Sequence, residues 1–90
     1  MNAIIFVKAR EQDRKQAQID ACHEYAVNND MKVAGVYDDL EKMFNRIEQN
    51  DIQKIIITER SRLTRNTLEY YLYLIKFREM EIKLISLNEQ

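Results

Sequence analysis

Short aliphatic runs alternate with longer amphipathic segments along this chain of 90 residues. Four runs have the composition of buried strands: residues 3–7, 31–37, 52–58 and 82–87. Three segments between them space apolar residues as helices do: residues 12–28, 40–49 and 68–80. This β-α-β-α-β-α-β order predicts an α/β fold with three layers, in which helices cover both faces of a mostly parallel four-stranded sheet.

The last predicted helix carries two apolar stripes. Leu68, Leu72 and Ile75 form one stripe, which is enough to cover a sheet. The other stripe consists of Tyr70, Tyr73, Leu74 and Phe77. A second apolar stripe on a surface helix suggests a partner, so we predict that this one is an interface for self-association or for another protein. The alternative is that neighbouring helices of the same monomer cover it.

Composition limits the class of protein. Apolar residues make up 46% and charged residues 32%, which is ordinary for a soluble protein, and 90 residues predict a single domain over 1–90. No apolar run approaches the ~20 residues that span a bilayer. One cysteine and one histidine provide neither an internal disulfide nor a metal-ligand set. We therefore predict a cytoplasmic protein with no cofactor, metal or membrane contact.

Arginines gather in the stretch 58–66, between the third predicted strand and the last helix. Open α/β sheets bind ligands at the carboxyl ends of their strands, and guanidinium groups beside a helix start suit a phosphate. Asn66, with Glu69 three residues later, is similar to a capping box that begins this helix. A solvated, charged turn is the alternative interpretation of the same stretch.

The sequence Ser61-Arg62-Leu63-Thr64-Arg65-Asn66 resembles a motif of the serine recombinases, the resolvase/invertase family, which reads Asp-Arg-Leu-Ser-Arg-Asn. In that family the arginines of the motif hold the scissile DNA phosphate. Gln18 and Tyr25-Ala26 lie about where the family's first helix carries Gln and Tyr-Ala, and residues 82–89 resemble its last catalytic-domain strand. The resemblance covers essentially the whole chain and implies the strand order 2-1-3-4.

The opening segment departs from the family pattern. When residues 6–10 are aligned with the family's Tyr-x-Arg-Val-Ser, Lys8 takes the place of an active-site arginine and Arg10 that of the nucleophilic serine. Arginine carries no nucleophile at any relevant pH. Ser61 stands where the second motif has its aspartate. We therefore regard Lys8, Arg10, Ser61, Arg62 and Arg65 as degenerate active-site positions and predict that the chain is not an enzyme.

Two further departures support this prediction. The family's mobile loop after the second strand is missing, because Asp38-Asp39 leads directly to the predicted helix at Leu40. The sequence also stops before the family's long dimerisation helix and its DNA-binding domain. We accordingly expect that this chain alone does not carry out site-specific recombination.

Other chemistry finds little support in the sequence. Only Glu59 could act as a base beside Ser61, the remaining candidate nucleophile. Cys22 and His23 are adjacent on a helix, so their side chains diverge by about 100° and Cys22 is expected in the core. Asp38 and Asp39 are more typical of a helix cap than of a metal site.

These observations leave two main hypotheses. The first is a catalytically inactive, recombinase-like regulatory protein of a phage or mobile element, which pairs with itself or with another protein. The alternative is a weak DNA- or phosphate-binding accessory protein that uses Lys8, Arg10, Arg62 and Arg65. Glu11 could instead pair with one of these arginines and make the cluster an internal ion-pair network. A residual nuclease or phosphotransferase that uses Ser61 or a metal is the third possibility considered.

Overall fold

The computed structural model describes residues 1–89 and contains every predicted element. The strands are β1 Asn2–Phe6, β2 Lys32–Tyr37, β3 Lys54–Ile57 and β4 Lys83–Ser86. The helices are α1 Gln12–Asn28, α2 Leu40–Ile47 and α3 Thr67–Glu79. Two single 3₁₀ turns follow β3 and β4, at Arg60–Arg62 and Leu87–Glu89. The first predicted strand is displaced by one residue, and the other three are one to three residues too long because the chain turns as soon as its ladder hydrogen bonds end.

The sheet has the order β2-β1-β3-β4, and all three neighbouring pairs are parallel. The predicted fold class and the strand order implied by the resemblance are therefore confirmed. β1 and β3 are the central strands, and their side chains are almost wholly buried. Because all four strands point the same way, the connections that leave their carboxyl ends lie along one edge of the sheet.

Side chains alternate between two separate cores, one on each face of the sheet. Ile4, Phe6, Ile55 and Ile57 face α2 and α3, where they meet Met43, Ile47 and Phe77. Ala3, Ile5, Val7 and Ile56 face α1, where they meet Cys22 and Ala26. The expected core position of Cys22 is confirmed, since its side chain is fully buried. The result is the predicted arrangement of three layers.

The assignment of the two stripes of α3 is reversed. Phe77 is 1% exposed and packs in the core, with the half-buried Tyr70 and Tyr73 against the same core and Leu74 half-buried beside them. Leu68 and Leu72, which were expected to cover the sheet, are 70% and 56% exposed. Both stripes have helical spacing, so periodicity could not choose between them. The aromatic stripe packs inward because Phe44 of α2 offers ring partners, 5.7 Å from Tyr73 and 5.8 Å from Phe77 between centroids.

The turns from helix to strand share one backbone feature. Asp30, Asn50 and Glu81 each adopt a left-handed conformation, with φ of 56°, 63° and 60°. Each residue lies shortly after the end of a helix and reverses the chain into the next strand. Asn and Asp tolerate this conformation, whereas Glu is a less favourable choice. The turn from α1 to β2 is therefore left-handed at Asp30.

The connection from β2 to α2 is as short as the sequence suggested. Asp39 caps α2, because its Oδ1 accepts a hydrogen bond of 3.1 Å from the backbone N–H of Lys42. Asp38 accepts a hydrogen bond of 2.9 Å from Lys15 Nζ of α1, and this contact holds the Asp38 pKa below its usual value. Asp39 therefore caps α2, and Asp38 links the connection between β2 and α2 to α1. Among residues 1–89, no helix is long and apolar enough to cross a membrane.

Candidate functional site

The connections that follow β1 and β3 meet at the carboxyl edge of the sheet, because these two strands are neighbours. Between them lies an open cavity of about 680 Å³. The cavity brings together all five predicted active-site positions: Lys8, Arg10, Ser61, Arg62 and Arg65. Five basic and two acidic residues line it, so this edge is strongly positive although the whole chain carries a net charge of −1. A site of this charge suits an anion.

Arg62 is the fixed member of this cluster. Its Nη2 lies 2.8 Å from Glu59 Oε1, and its Nη1 donates a weak hydrogen bond of 3.4 Å to the backbone oxygen of Lys8, 54 residues away in the chain. Its Nε is buried and has no hydrogen-bond partner among the described residues. Arg62 therefore joins the two connections.

Gln18 fixes the other connection. This side chain of α1 is 5% exposed, and its amide makes two hydrogen bonds to the backbone of Lys8. Lys8 N donates to Gln18 Oε1 at 3.0 Å, and Gln18 Nε2 donates to Lys8 O at 3.1 Å. The chain leaving β1 is therefore clamped where it enters the cavity, which sets the direction of Lys8 and Arg10.

The arginine stretch is an ordered turn, not a loose charged loop. Leu63 is 1% exposed and anchors the stretch in the core under α2 and α3. The hydroxyl of Thr64 accepts a hydrogen bond of 3.2 Å from Asn66 N, and Asn66 Oδ1 accepts one of 2.9 Å from Glu69 N. The predicted cap at Asn66 is therefore present, but Thr64 replaces Glu69 as the acceptor for the Asn66 backbone N–H.

Few of the cations are neutralised within the molecule. Glu11 pairs with Arg14 at 3.7 Å on the surface, where both side chains are more than 70% exposed, and not with the arginines of the predicted cluster. Glu59 pairs with Arg62. In the part of the chain that the structure describes, Lys8, Arg10 and Arg65 form no ion pair. The expected internal network thus accounts for one arginine of the cluster and leaves most of its charge facing solvent.

Sequence reasoning did not assign the roles that three residues have in shaping the site. Arg14 lines the cavity from the first turn of α1. Its nearness in the sequence to Lys8 and Arg10 was the one signal that could have indicated it. Glu59 orients Arg62 from three residues before it, which is an ordinary spacing for an ion pair. Gln18 showed only as part of the family resemblance. Its two bonds to Lys8 join residues ten positions apart, so no local pattern could indicate them.

The remaining candidate chemistry stays separate from this cluster. Burial raises the pKa of Cys22 from 9.0 to about 11, so its thiol remains protonated and inert at neutral pH. Within residues 1–89, no group of three or more His, Cys, Asp or Glu side chains could hold a metal ion. Ser61 is exposed and lines the cavity beside Arg62.

The sequence matches the family model described as the resolvase N-terminal domain over residues 7–90. This match covers nearly the whole chain, including both connections that form the cavity. The chain belongs to the resolvase N-terminal domain family. The resemblance on the motif at Ser61–Asn66 is thereby confirmed as a family relationship. Among curated proteins, none matches this resolvase-family sequence.

Solved structures of serine recombinase catalytic domains have the same fold as this resolvase-family chain. The C-terminal catalytic domain of ISC1926 TnpA, an IS607-like serine recombinase, is 26% identical, with a TM-score of 0.82 over 100% of this chain and 72% of that one. The N-terminal catalytic domain of TP901-1 integrase is 25% identical, with a TM-score of 0.88 over 99% and 79%. A resolvase family site-specific recombinase from Streptococcus pneumoniae, 16% identical, superposes with a TM-score of 0.90 over 99% and 73% and supports the fold alone.

These relationships correct one prediction from the sequence. We expected a protein that is not an enzyme, because Arg10 aligns with the nucleophilic serine. That expectation is wrong: the family match and the solved relatives are domains of recombinases, which are enzymes. The prediction gave one aligned position more weight than the rest of the site. The resolvase-family chain assembles Arg62 and Arg65 beside Lys8 and Arg10 and keeps a serine hydroxyl, that of Ser61, in the same cavity.

Proposed function

We propose that this chain is a recombinase-family domain that binds the phosphate backbone of DNA at the carboxyl edge of its sheet. The observation that carries the proposal is the cavity that gathers Lys8, Arg10, Arg62 and Arg65 from two distant connections. Three of these four cations form no ion pair among the described residues, so a phosphate meets charges that are not already neutralised. Guanidinium groups bind phosphate through parallel N–H donors, which suits the cluster to this ligand.

The predicted affinity follows from the number of contacts. Each cation that neutralises a phosphate releases a counterion, so four cations predict a log–log salt slope of roughly −3 to −4. Contacts to phosphate carry no sequence information, and we therefore expect weak binding that does not depend on sequence, with a dissociation constant of about 10⁻⁴–10⁻⁶ M. This domain would position DNA and leave the selection of a sequence to other parts of an assembly.

The test compares two double variants of equal charge. Arg62→Ala with Arg65→Ala removes two cations from the cavity, whereas Lys32→Ala with Lys83→Ala removes two exposed cations at the starts of β2 and β4. We expect only the first pair to weaken the binding of a short labelled duplex, measured by fluorescence anisotropy at low salt. Its salt slope should fall by about 2. Equal effects of the two pairs, or no binding by the parent chain at about 100 µM, would contradict the proposal.

A single variant separates ligand binding from folding. Arg62 holds Lys8 and Glu59, so its removal can also disturb the site. Arg65 is exposed and has no such role, and Arg65→Ala should weaken DNA binding without a change in thermal unfolding. A variant that binds as the parent does would indicate that Arg65 faces no phosphate.

A second assay tests whether the chain cleaves DNA at the bound phosphate. Ser61 provides a hydroxyl beside the cations of the cavity. If Ser61 Oγ attacks the phosphate, a serine–phosphate bond forms as the bond to one deoxyribose oxygen breaks, and the serine proton passes to the released hydroxyl. Conversion of supercoiled plasmid to nicked circles by the parent, and its loss in Ser61→Ala, would assign the attacking oxygen to Ser61. Nicking that persists in Ser61→Ala would point to another group.

Four expectations from the sequence stay predictions. They are a regulatory role, an origin in a phage or mobile element, a cytoplasmic location and a single domain over 1–90. The solved relatives include an IS607-like serine recombinase and an integrase, which supports a setting of this kind for the family. Gln90, the last residue of the predicted domain, lies outside the described residues.

A further inference from the structure

Arg62 is shared between the cavity and a carboxylate that does not line it. Its side chain lines the cavity, whereas its Nη2 lies 2.8 Å from Oε1 of Glu59, which is not among the lining residues. The two side chains are 32% and 37% exposed, so water and salt screen this ion pair less than one on the open surface. Without DNA, Glu59 therefore holds a guanidinium that our proposed function assigns to a phosphate.

The backbone keeps the two partners of this ion pair together. Arg62 N donates a hydrogen bond of 3.0 Å to Glu59 O across the 3₁₀ turn Arg60–Arg62, so both side chains leave the same short turn. Leu63, the next residue, is 1% exposed and anchors the end of this turn in the core. The carboxylate of Glu59 thus acts as an intramolecular ligand at high effective concentration, against which any external anion must compete.

The other contacts of Arg62 are weaker. Its Nη1 donates a long hydrogen bond of 3.4 Å to the backbone oxygen of Lys8, and its buried Nε has no hydrogen-bond partner among the described residues. A buried donor without an acceptor destabilises the arrangement that contains it. The ion pair with Glu59 is therefore the main polar contact that keeps the guanidinium in this position, and a competing phosphate has one carboxylate to replace.

We propose that Glu59 is an autoinhibitory residue of the phosphate site, which holds Arg62 until a DNA phosphate displaces it. This inference rests on the proposed function, because the displacing ligand is the DNA backbone. A phosphodiester carries one negative charge, as the carboxylate does, so the exchange replaces one ion pair of Arg62 by another and yields little net attraction. Glu59 thereby lowers the affinity of the site, and the initial attraction of DNA falls to the cations that form no ion pair among the described residues: Lys8, Arg10 and Arg65.

Glu59→Gln tests the proposal, because it keeps the size of the side chain and removes its charge. We expect it to tighten the binding of a short labelled duplex about three- to tenfold at low salt, measured by fluorescence anisotropy. The matched control is Glu11→Gln, which removes the same charge from a residue that lines the cavity and pairs with Arg14. That pair is highly exposed, so we expect a gain below about twofold. Equal gains would overturn the proposal, since they would reflect only the loss of a negative charge near the site.

A double-mutant cycle tests whether the effect acts through Arg62. In the Arg62→Ala background Glu59 has no guanidinium to hold, so Glu59→Gln should change the affinity by less than about twofold. The same gain in both backgrounds would overturn the proposal, and so would a parent that binds DNA as tightly as Glu59→Gln does. In the latter case a loss of binding in Arg65→Ala would still support the DNA site, so the two proposals can fail separately. Circular dichroism checks that every variant stays folded.

Discussion

Single residues decide how the candidate site is held. Arg62 and Arg65 could be predicted from the sequence because a motif after a buried strand indicates the carboxyl edge of a sheet. Gln18 could not be assigned its role in the same way. It clamps Lys8 through an amide that is buried on α1, and burial of that kind depends on packing between layers rather than on neighbours in the chain. Residues that face a ligand are therefore easier to find from sequence than residues that position them.

A prediction at this scale concerns the buried thiol of Cys22. Its pKa rises from 9.0 to about 11 on folding, so between these values the unfolded chain loses a proton that the folded chain keeps. The free energy of unfolding should therefore fall as pH rises from about 9 to 11, by on the order of 2 kcal/mol. Urea titrations at several alkaline pH values measure this loss.

Cys22→Ala supplies the comparison. Burial and the hydrogen bond to Glu69 also raise the pKa of Tyr73, which adds an alkaline loss of the same sign in both proteins. The difference between the two curves isolates the thiol. Parallel curves for the parent and Cys22→Ala over this range would show that the thiol does not contribute.

At the scale of elements, the sequence predicts where helices and strands occur better than which side of them is buried. All seven elements lie where hydrophobic spacing placed them, because strand and helix periods differ and turns separate them. The two stripes of α3 have the same period, and the choice between them depends on Phe44, which belongs to another helix. Information of that kind lies in the tertiary packing and not in the α3 segment.

The left-handed turn at Glu81 gives a prediction for one element. A side chain at φ of 60° is strained and glycine is not, so Glu81→Gly should raise the free energy of unfolding by about 0.5–1 kcal/mol. Asn50→Gly, at φ of 63°, is the control and should give a smaller gain because asparagine tolerates this conformation. Chemical denaturation compares the three proteins. An equal or larger gain at Asn50 would contradict this account of the turn.

At the scale of the whole molecule, topology could be predicted almost completely. Crossovers between parallel strands follow few rules, so four strands and three helices in strict alternation leave few arrangements, and the family resemblance implied which one. What the sequence could not provide is the assignment of each side chain to one of the two cores. Phe77 illustrates this, because it joins the core that β1, α2 and β3 share and not the surface.

The buried and exposed faces of α3 predict very different losses of folding stability for two substitutions. Phe77→Ala should lower the free energy of unfolding by about 3–5 kcal/mol, because it opens a cavity between α2, α3 and the sheet. Leu72→Ala should change it by less than about 0.5 kcal/mol in dilute protein, since that side chain is 56% exposed. Thermal unfolding at low micromolar concentration measures both. Similar losses for the two variants would mean that the faces of α3 are assigned incorrectly.

Burial ends abruptly at the carboxyl edge of the sheet, and this affects which substitutions the domain tolerates. Val7, directly after β1, and Ile57, at the end of β3, are buried, and the side chains of Lys8, Arg10 and Arg65 beyond that edge are exposed. Substitutions there cost the fold little, because no core contact is lost. Side chains at this edge, such as Arg10, can therefore be exchanged while the fold persists.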